Sequence, residues 1–279
     1  MYIHTPSKKI DISKRTLIMG ILNVTPDSFS DGGSYTSVDL AIARAKQMVE
    51  DGADMIDIGG ESTSSWRPNH DPVSEEEEIE RVIPVIQALK EHINIPISID
   101  TYKAKTAEEA VKAGADIIND IWGAKKEPAI AKVAATYNVP IVLMHNRNHT
   151  SYNDMIEDIV TEIQESIHIA KQAGVKDEQI IVDPGIGFGK EVQDNFFVMR
   201  HLHEIIAKLP YPLLLGASRK RFINEVLDIP AEERDNATGA TTCYGIAQGA
   251  HIVRVHEVKK TKELTTMMDA MVHGVGVNG

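Results

Sequence analysis

The chain has 279 residues, enough for two small domains or for one α/β barrel of about 250 residues. Hydrophobic residues make up 42% and charged residues 25% of it, which are ordinary values for a folded globular protein and exclude extensive disorder. The 29 basic and 41 acidic residues leave a formal charge of −12, which disfavours nucleic acid and anionic membrane surfaces as partners. Any anionic ligand must therefore be held by a local cluster of basic side chains.

Cysteine content and apolar run length bear on the cellular location. The single cysteine, Cys243, excludes an intrachain disulfide and a multi-cysteine zinc site, and it favours a reducing compartment. No stretch approaches the roughly 18–20 consecutive apolar residues of a membrane span. The apolar segment Leu17 to Leu22 is short and runs directly into Asn23. We therefore expect no signal peptide, no membrane partner and a cytoplasmic location.

A short pattern recurs three times, at residues 52–58, 114–120 and 249–255. In each copy a glycine and an alanine are followed by an apolar run rich in β-branched residues. The glycine can end a helix, and the apolar run favours a buried strand. Comparable runs predict eight strands, at about residues 16–23, 54–59, 96–100, 116–121, 140–145, 180–183, 212–216 and 251–255.

Amphipathic segments with helical spacing separate these strands, and the acidic run at 75–78 follows Ser74 as it would at the start of a helix. Strands that alternate with helices imply βαβ units and a parallel sheet. Eight such units in 279 residues favour a closed (β/α)8 TIM barrel, forming one domain over residues 1–279. An open doubly wound sheet is the alternative.

The carboxyl ends of the predicted strands are polar, and in a barrel these ends build the binding site. The strand-end residues are Asn23, Gly59-Gly60-Glu61, Asp100, Asn119-Asp120, Met144-His145-Asn146 and Asp183; strand seven leads into Ser218-Arg219-Lys220-Arg221, and strand eight carries Arg254 and His256. Asp100, Asn119 and Asp183 offer carboxylate and amide groups, which suit a flat ligand with several N–H donors. The alternative for these three is that they cap loops or join a buried polar network.

Basic residues gather near the ends of the last two predicted strands. Arg254 and His256 have the alternate spacing of one strand face, and residues 219–221 place three cations in a row. Phosphate groups often bind near the loops after strands seven and eight of such barrels, so Lys220, Arg254 and His256 form a candidate anion clamp. Pairing of Arg254 with a neighbouring carboxylate is the alternative. Two long loops, 25–33 and 62–70, are candidate lids.

Seven sequence motifs resemble the dihydropteroate synthase family, in order and over nearly the whole chain. They are MGILNVTPDSFSDGG at 19–33, DIGGEST at 57–63, ISIDT at 97–101, IND at 118–120, DPGIGFGK at 183–190, SRK at 218–220 and RVH at 254–256. The resemblance implies a TIM barrel that condenses 7,8-dihydropterin-6-ylmethyl diphosphate with 4-aminobenzoate, releasing diphosphate, in folate synthesis. It also implies a homodimer and inhibition by sulfonamides, which mimic 4-aminobenzoate.

The same resemblance implies roles for individual residues. Substrate-binding residues would be Asn119, Asp100, Asp183, Lys220, Met144, Thr63, Arg67, Pro68, Phe29, Asp31, Phe188, Arg254 and His256. Among these, Asp100, Asn119, Asp183 and Lys220 would hold the pterin. Arg254 and His256 would bind the diphosphate, and Asn23 would help to bind the accompanying Mg²⁺. The catalytic set would be Asp183, Lys220, Asp100 and Arg254. The remaining loop residues would close around the diphosphate and 4-aminobenzoate.

Two departures from the family pattern affect the expected 4-aminobenzoate site. Ser64-Ser65-Trp66 interrupts the usual Ser-Thr-Arg-Pro loop between Thr63 and Arg67, and Arg221 stands where many members carry a small hydroxyl residue. Two other classes of protein would share the pterin-holding residues. One is a pterin-binding methyltransferase that acts with a corrinoid protein, which needs no cation clamp. The other is a non-catalytic pterin-binding subunit. Lys220 and the RVH motif at 254–256 favour the synthase.

Overall fold

A computed structural model describes residues 1–6, 8–24, 37–61 and 73–274. Within those residues there are ten strands, numbered in chain order. They are β1 (Tyr2–His4), β2 (Lys9–Asp11), β3 (Leu17–Asn23), β4 (Met55–Gly59), β5 (Ile97–Asp100), β6 (Ile117–Asp120), β7 (Ile141–Met144), β8 (Ile180–Asp183), β9 (Leu214–Leu215) and β10 (Ile252–Val255). The last eight are the strands that the sequence pattern predicts, and β9 is the one that is clearly shorter than predicted.

The described residues also form ten α-helices. They are α1 (Ser37–Glu50), α2 (Glu75–His92), α3 (Ala104–Ala113), α4 (Ala129–Tyr137), α5 (Met155–Gln172), α6 (Val192–Arg200), α7 (Leu202–Lys208), α8 (Arg221–Leu227), α9 (Asp235–Ala247) and α10 (Val258–His273). In this described part of the chain, no helix combines the length and the apolar character that crossing a membrane requires.

Strands β3 to β10 form one parallel sheet that closes on itself. The sheet order is β8-β7-β6-β5-β4-β3-β10-β9. The two ends of this order meet where Val182 of β8 bridges Leu213, the residue before β9. The backbone N–H of Val182 also donates to the carbonyl oxygen of Pro212 at 2.9 Å. Closure confirms the predicted (β/α)8 barrel and excludes the open doubly wound sheet, in which the edge strands stay unpaired.

The apolar residues separate into an inner and an outer core. The inner cluster fills the barrel with Leu17, Met19, Met55, Ile117, Val142, Ile181, Leu214 and Ile252. Ile3 and Ile12 of the N-terminal hairpin segment join this cluster beside the first residues of β3 and β10. The hairpin therefore packs against the amino-terminal end of the barrel. The carboxyl ends of the strands, at the opposite end, are left for the polar residues.

Local chemistry places the ends of the helices where the sequence predicts them. Ser74 caps α2, because its hydroxyl oxygen accepts a hydrogen bond from the backbone N–H of Glu77 at 3.1 Å. The acidic run at 75–78 then lies in the first turn, as predicted. Gly114 ends α3 with a φ of +120°, and a side chain there would start 2.6 Å from Lys90 Cγ. Glycine is therefore required at this helix-to-strand junction.

Candidate active site

Polar side chains replace the inner apolar core at the carboxyl ends of the barrel strands. In the strand register, Gly59 of β4 lies beside Asp100 of β5, and Asp100 lies beside Asn119 of β6. Asp183 of β8 lies opposite Met144 of β7. Residues paired in register share one face of a sheet, so the predicted binding residues meet at one end of the barrel. The structure thus brings together side chains that are far apart in the sequence.

Arg254 is held between two carboxylates at this end. Its Nε donates to Asp57 Oδ2 at 2.6 Å, and its Nη2 donates to Asp100 Oδ2, also at 2.6 Å. Asp57 Oδ2 accepts a further hydrogen bond from Asn119 Nδ2 at 3.0 Å. The predicted alternative, pairing of Arg254 with a neighbouring carboxylate, is therefore part of the site itself.

Asp57 is the residue of this network that the sequence reasoning missed. Its side chain is fully buried, yet its Oδ1 atom has no hydrogen-bond partner. The signal that points to it is a carboxylate inside the otherwise apolar strand MIDIG, because a buried strand excludes an unpaired charge. Asp57 holds Arg254 and Asn119 in place, so we assign it as a positioning residue.

The charges of this cluster shift each other's ionisation. Burial raises the pKa of Asp100 to about 7, although Arg254 acts against the shift and the negative charge of Asp57 adds to it. Burial also disfavours the charge on Arg254, but Asp57 and Asp100 outweigh it and raise the pKa of the guanidinium. Arg254 therefore stays protonated, and Asp100 titrates near neutral pH.

Asp183 and Lys220 form the second charged group at the mouth. Asp183 Oδ1 accepts a hydrogen bond from the backbone N–H of Gly185 at 2.7 Å. Burial raises the pKa of Asp183, and the positive charge of Lys220 opposes that shift. Lys220 Nζ donates to the carbonyl oxygen of Ile186 and lies 4.5 Å from the centre of the Phe188 ring. Burial of its ammonium lowers the pKa of Lys220 to about 8.

His256 is a neutral member of the predicted anion clamp. Burial, followed by the positive charge of Arg254, lowers the pKa of His256 to about 3. Its Nδ1 lies 2.9 Å from Ser218 Oγ, so the hydroxyl fixes the orientation of the ring. At neutral pH this histidine can give or accept a hydrogen bond but supplies no positive charge. The charge of the clamp therefore comes from Lys220 and Arg254.

The three adjacent cations at 219–221 have different partners, because neighbouring residues at the start of a helix cannot all face one point. Arg219 Nε donates to Asp235 Oδ1 at 2.7 Å. Arg221 has 87% of its side chain exposed and lies 3.2 Å from Glu225. Lys220 is the member of this group that approaches Asp183. Arg221 is thus on the surface, where its side chain faces solvent rather than the buried carboxylates.

Comparison with known proteins settles the family. Residues 19–256 match the family model described as pterin binding enzyme. Dihydropteroate synthase of Bacillus subtilis strain 168 is 57% identical over 276 residues, covering 99% of this chain and 95% of the relative. This chain belongs to the dihydropteroate synthase family.

Solved structures of dihydropteroate synthases have the same fold. The Clostridium difficile enzyme, crystallised in the presence of pteroic acid, superposes with a TM-score of 0.90 at 50% identity, over 94% of this chain and 99% of that one. The Yersinia pestis enzyme, solved with a sulfonamide drug complex, gives a TM-score of 0.89 at 39% identity, over 97% of this chain and 99% of that one.

Several residues that the family resemblance implies lie outside the described part of the chain. These are Phe29, Asp31, Thr63, Arg67 and Pro68, together with the Ser64-Ser65-Trp66 segment. Asn23 is described, and its Oδ1 lies 3.7 Å from the point where a side chain on Gly59 would begin. Met144 is buried at the end of β7. In the described ranges, no group of three or more histidine, cysteine, aspartate or glutamate side chains is arranged to hold a metal ion.

Proposed function

We propose that this chain is a dihydropteroate synthase, which joins 7,8-dihydropterin-6-ylmethyl diphosphate to 4-aminobenzoate to form 7,8-dihydropteroate and diphosphate. The observation that carries the proposal is the ring of charged groups at the barrel mouth, with Asp100 and Asp183 facing Lys220 and Arg254. Such a ring offers acceptors to a donor-rich flat ring system and cations to an anionic leaving group. The 57% identity to the Bacillus subtilis enzyme supports the same assignment.

Asp183, Asn119 and Lys220 are the residues that we infer to hold the pterin. The second carboxylate oxygen of Asp183 remains available for ligand N–H groups while its Oδ1 accepts from Gly185. Asn119 keeps its carbonyl oxygen for a ligand because its nitrogen donates to Asp57. Met144, buried beside Asp183, gives the ring an apolar surface. The pocket therefore combines hydrogen-bond partners with a flat apolar contact.

The reaction separates charge, and the four proposed catalytic residues lie where each charge develops. As the bond between the methylene carbon and the diphosphate oxygen breaks, positive charge spreads into the pterin, where the carboxylates of Asp183 and Asp100 stabilise it. The diphosphate leaves with the electron pair, and Lys220 and Arg254 offer positive charge to it. The neutral amine of 4-aminobenzoate forms the new carbon–nitrogen bond and then loses a proton to solvent, so no strong general base is required.

Asn23 is the residue that we infer for the Mg²⁺ ion. It ends β3 at the mouth of the barrel, close to the backbone of Gly59. An amide oxygen is a hard ligand of the type that Mg²⁺ takes, and Mg²⁺ at phosphate sites is often held by one or two protein oxygens together with phosphate and water. When bound, the ion would stabilise negative charge on the diphosphate. His256 would orient the same group by a hydrogen bond.

A coupled assay for released diphosphate tests the proposed reaction. We expect diphosphate to appear only when the pterin diphosphate and 4-aminobenzoate are both present, and we expect sulfonamides to inhibit it in competition with 4-aminobenzoate. The alternative, a pterin-binding methyltransferase, would release no diphosphate and would transfer a methyl group to a corrinoid protein. A chain that binds pterin but turns over neither set of substrates would contradict both enzymes.

Binding of 4-aminobenzoate should depend on the diphosphate. The family resemblance implies that Phe188 and the loops at 25–33 and 62–70 would close around both ligands. If one ligand orders these loops, the other ligand should bind more tightly. We expect 4-aminobenzoate to bind at least about tenfold more tightly with Mg²⁺ and diphosphate present, an effect that must be reciprocal. Calorimetry with and without the two ions measures it, and equal affinities would disprove it.

Pterin affinity should fall as the pH rises above 8. Burial lowers the pKa of Lys220 to about 8, so its ammonium loses a proton in this range and with it one N–H donor and the charge beside Asp183. Calorimetry between pH 6.5 and 9.5 checks the decline. The Lys220→Met variant should bind weakly at every pH and show a flatter profile over the same range. A wild-type profile parallel to that of Lys220→Met would show that another group titrates.

A homodimer is inferred from exposed apolar side chains on the last three helices. Six of the nine large hydrophobic residues exposed in the described ranges belong to α8–α10, namely Val226, Leu227, Tyr244, Met267, Met271 and Val272. Exposed apolar side chains grouped in this way indicate a protein–protein interface, and a second copy of the chain would offer a matching apolar surface. We expect Met267→Glu combined with Met271→Glu to give monomers in light scattering, while Phe197→Glu on α6 leaves the dimer intact.

A further inference from the structure

The loop that joins β8 to α6 is held together by one of its own side chains. The ammonium of Lys190 lies 3.0 Å from the carbonyl oxygen of Gly185 and 3.1 Å from that of Phe188. Its third neighbour is Nδ1 of His145, in the segment after β7, at 2.9 Å. An ammonium has three N–H donors, so these three acceptors use all of them. Lys190 is 9% exposed, so these bonds are buried. Burial lowers the pKa of Lys190 to about 7, opposed by the charge of Asp183, so the bonds are charge-assisted in its protonated form.

The ionisation of His145 fits its place as an acceptor. Burial and the positive charge of Lys190 lower the pKa of His145 to about 4, so the ring is neutral at pH 7. With Nδ1 accepting from Lys190, the proton of the neutral ring lies on Nε2, which is 3.3 Å from Glu162 Oε2. Glu162 belongs to α5. His145 Nε2 makes no hydrogen bond there, so its approach to α5 is electrostatic. Lys190 therefore ties the loop after β8 to the segment after β7.

The backbone of this loop packs closely against the segment after β7, and two of its glycines permit the close approach. Gly185 has a φ of +69°, and a side chain there would begin 1.9 Å from the carbonyl oxygen of His145. Gly189 has a φ of +55°, and a side chain there would begin 2.7 Å from Arg147 Cγ. Both glycines let the loop lie directly on the segment that contains His145 and Arg147.

The same loop meets the proposed site through Phe188. The ring of Phe188 lies 4.5 Å from Lys220 Nζ, and Lys220 also donates to the carbonyl oxygen of Ile186. The loop therefore lies between two lysines: Lys190 binds the carbonyl groups of Gly185 and Phe188, and Lys220 binds that of Ile186. Lys190 thus holds the backbone of Phe188, and the ring of Phe188 contacts Lys220.

We propose that Lys190 is a positioning residue that sets the affinity of the enzyme for 4-aminobenzoate by fixing the carbonyl group, and hence the ring, of Phe188. The inference rests on the proposed function, in which Phe188 borders the 4-aminobenzoate site. The pterin depends on Asp183, Asn119 and Lys220, none of which shares a hydrogen bond with Lys190; Lys190 acts on Asp183 through its positive charge alone, which opposes the rise that burial causes in the pKa of that carboxylate. Loss of Lys190 should therefore affect one substrate more than the other.

The Lys190→Met variant tests this selectivity, because methionine has similar length but no donor. We expect the KM for 4-aminobenzoate to rise at least about tenfold, since a small displacement of a positioning group has large effects, while pterin affinity changes less than about threefold. Lys125→Met is the matched control. Lys125 lies 3.3 Å from Glu162 in the same polar cluster, makes no bond to the 184–190 loop, and should leave both values within about twofold.

A double-mutant cycle shows whether Lys190 acts through Phe188. Phe188→Ala should raise the KM for 4-aminobenzoate by itself, and adding Lys190→Met to it should then change that KM by less than about twofold. If the increases in KM caused by the two substitutions multiply fully in the double variant, Lys190 does not act through Phe188. Equal losses for both substrates in Lys190→Met, or a lower melting temperature with unchanged KM values, would overturn the positioning role as well.

A second pair of variants covers the case in which Lys190→Met does not fold. His145→Leu removes one acceptor of Lys190, whereas His145→Asn keeps an acceptor near the position of Nδ1. We expect the KM for 4-aminobenzoate to rise about threefold in the leucine variant and to stay near the wild-type value in the asparagine variant. Identical values for the two would contradict the inference. If the wild-type protein forms dihydropteroate and the variants keep the wild-type KM values, the role of Lys190 is disproved but the proposed function is not. If the wild-type protein is inactive, the proposed function is disproved.

Discussion

Replacing Asp183 with alanine is expected to weaken pterin binding by at least about tenfold and to reduce turnover accordingly. The carboxylate is 5% exposed and faces the ammonium of Lys220 at the barrel mouth. Its removal leaves ligand N–H groups without an acceptor and leaves Lys220 without its counter-charge. A hydrogen bond to a charged group contributes roughly 1.5–3 kcal/mol, so the loss in affinity is about 10- to 150-fold from this contact alone.

Calorimetric titration of the pterin into the Asp183→Ala protein measures the effect. Asp269→Ala is the matched control, because Asp269 is also buried, at 2% exposure, but binds the hydroxyl and backbone N–H of Thr16 before β3, at the other end of the barrel. We expect Asp269→Ala to lower the melting temperature and leave pterin affinity unchanged. Unchanged pterin affinity in a folded Asp183→Ala protein would remove Asp183 from the site.

Replacing Arg254 with methionine should reduce both stability and activity. The guanidinium holds the carboxylates of Asp57 and Asp100 at 2.6 Å each, and its loss leaves both buried groups without their counter-charge, so the pKa of Asp100 rises further and Asp57 keeps an unpaired charge. Removing one partner of a buried ion pair costs about 3–5 kcal/mol of the free energy of unfolding. Activity should fall by a further factor of about 100 or more, because positive charge beside the leaving diphosphate is lost as well.

A second substitution separates these two effects. Asp57→Asn in the Arg254→Met background removes one of the unpaired charges, so we expect the free energy of unfolding in urea to recover while the turnover number stays low. Arg15→Met serves as the arginine control. Arg15 binds Asp54 at 2.8 and 2.5 Å, before β3 and β4 begin, and its loss should spare activity. Recovery of turnover in the double variant would limit Arg254 to a structural role.

The sequence determined the barrel because its signals are local. Glycines with positive φ at 52, 114 and 249 end helices, and the apolar runs that follow them form strands buried on both faces. With the other apolar runs, these make eight predicted strands separated by helices, which leave little choice of topology. The same logic predicts that Asp100, Asn119 and Asp183 lie at one end of the molecule, since the carboxyl ends of parallel strands meet at one end of a barrel whatever the details of packing.

Tertiary structure alone decided which of these groups touch and what charge they carry. Arg254 pairs with Asp57 across 197 positions of the chain, and no local pattern specifies which carboxylate a buried arginine will meet. The neutrality of His256 follows from burial beside Arg254. The three bonds of Lys190 depend on a loop packed against the segment after β7. Pairing and ionisation depend on distance and burial, which are properties of the folded chain rather than of neighbouring residues.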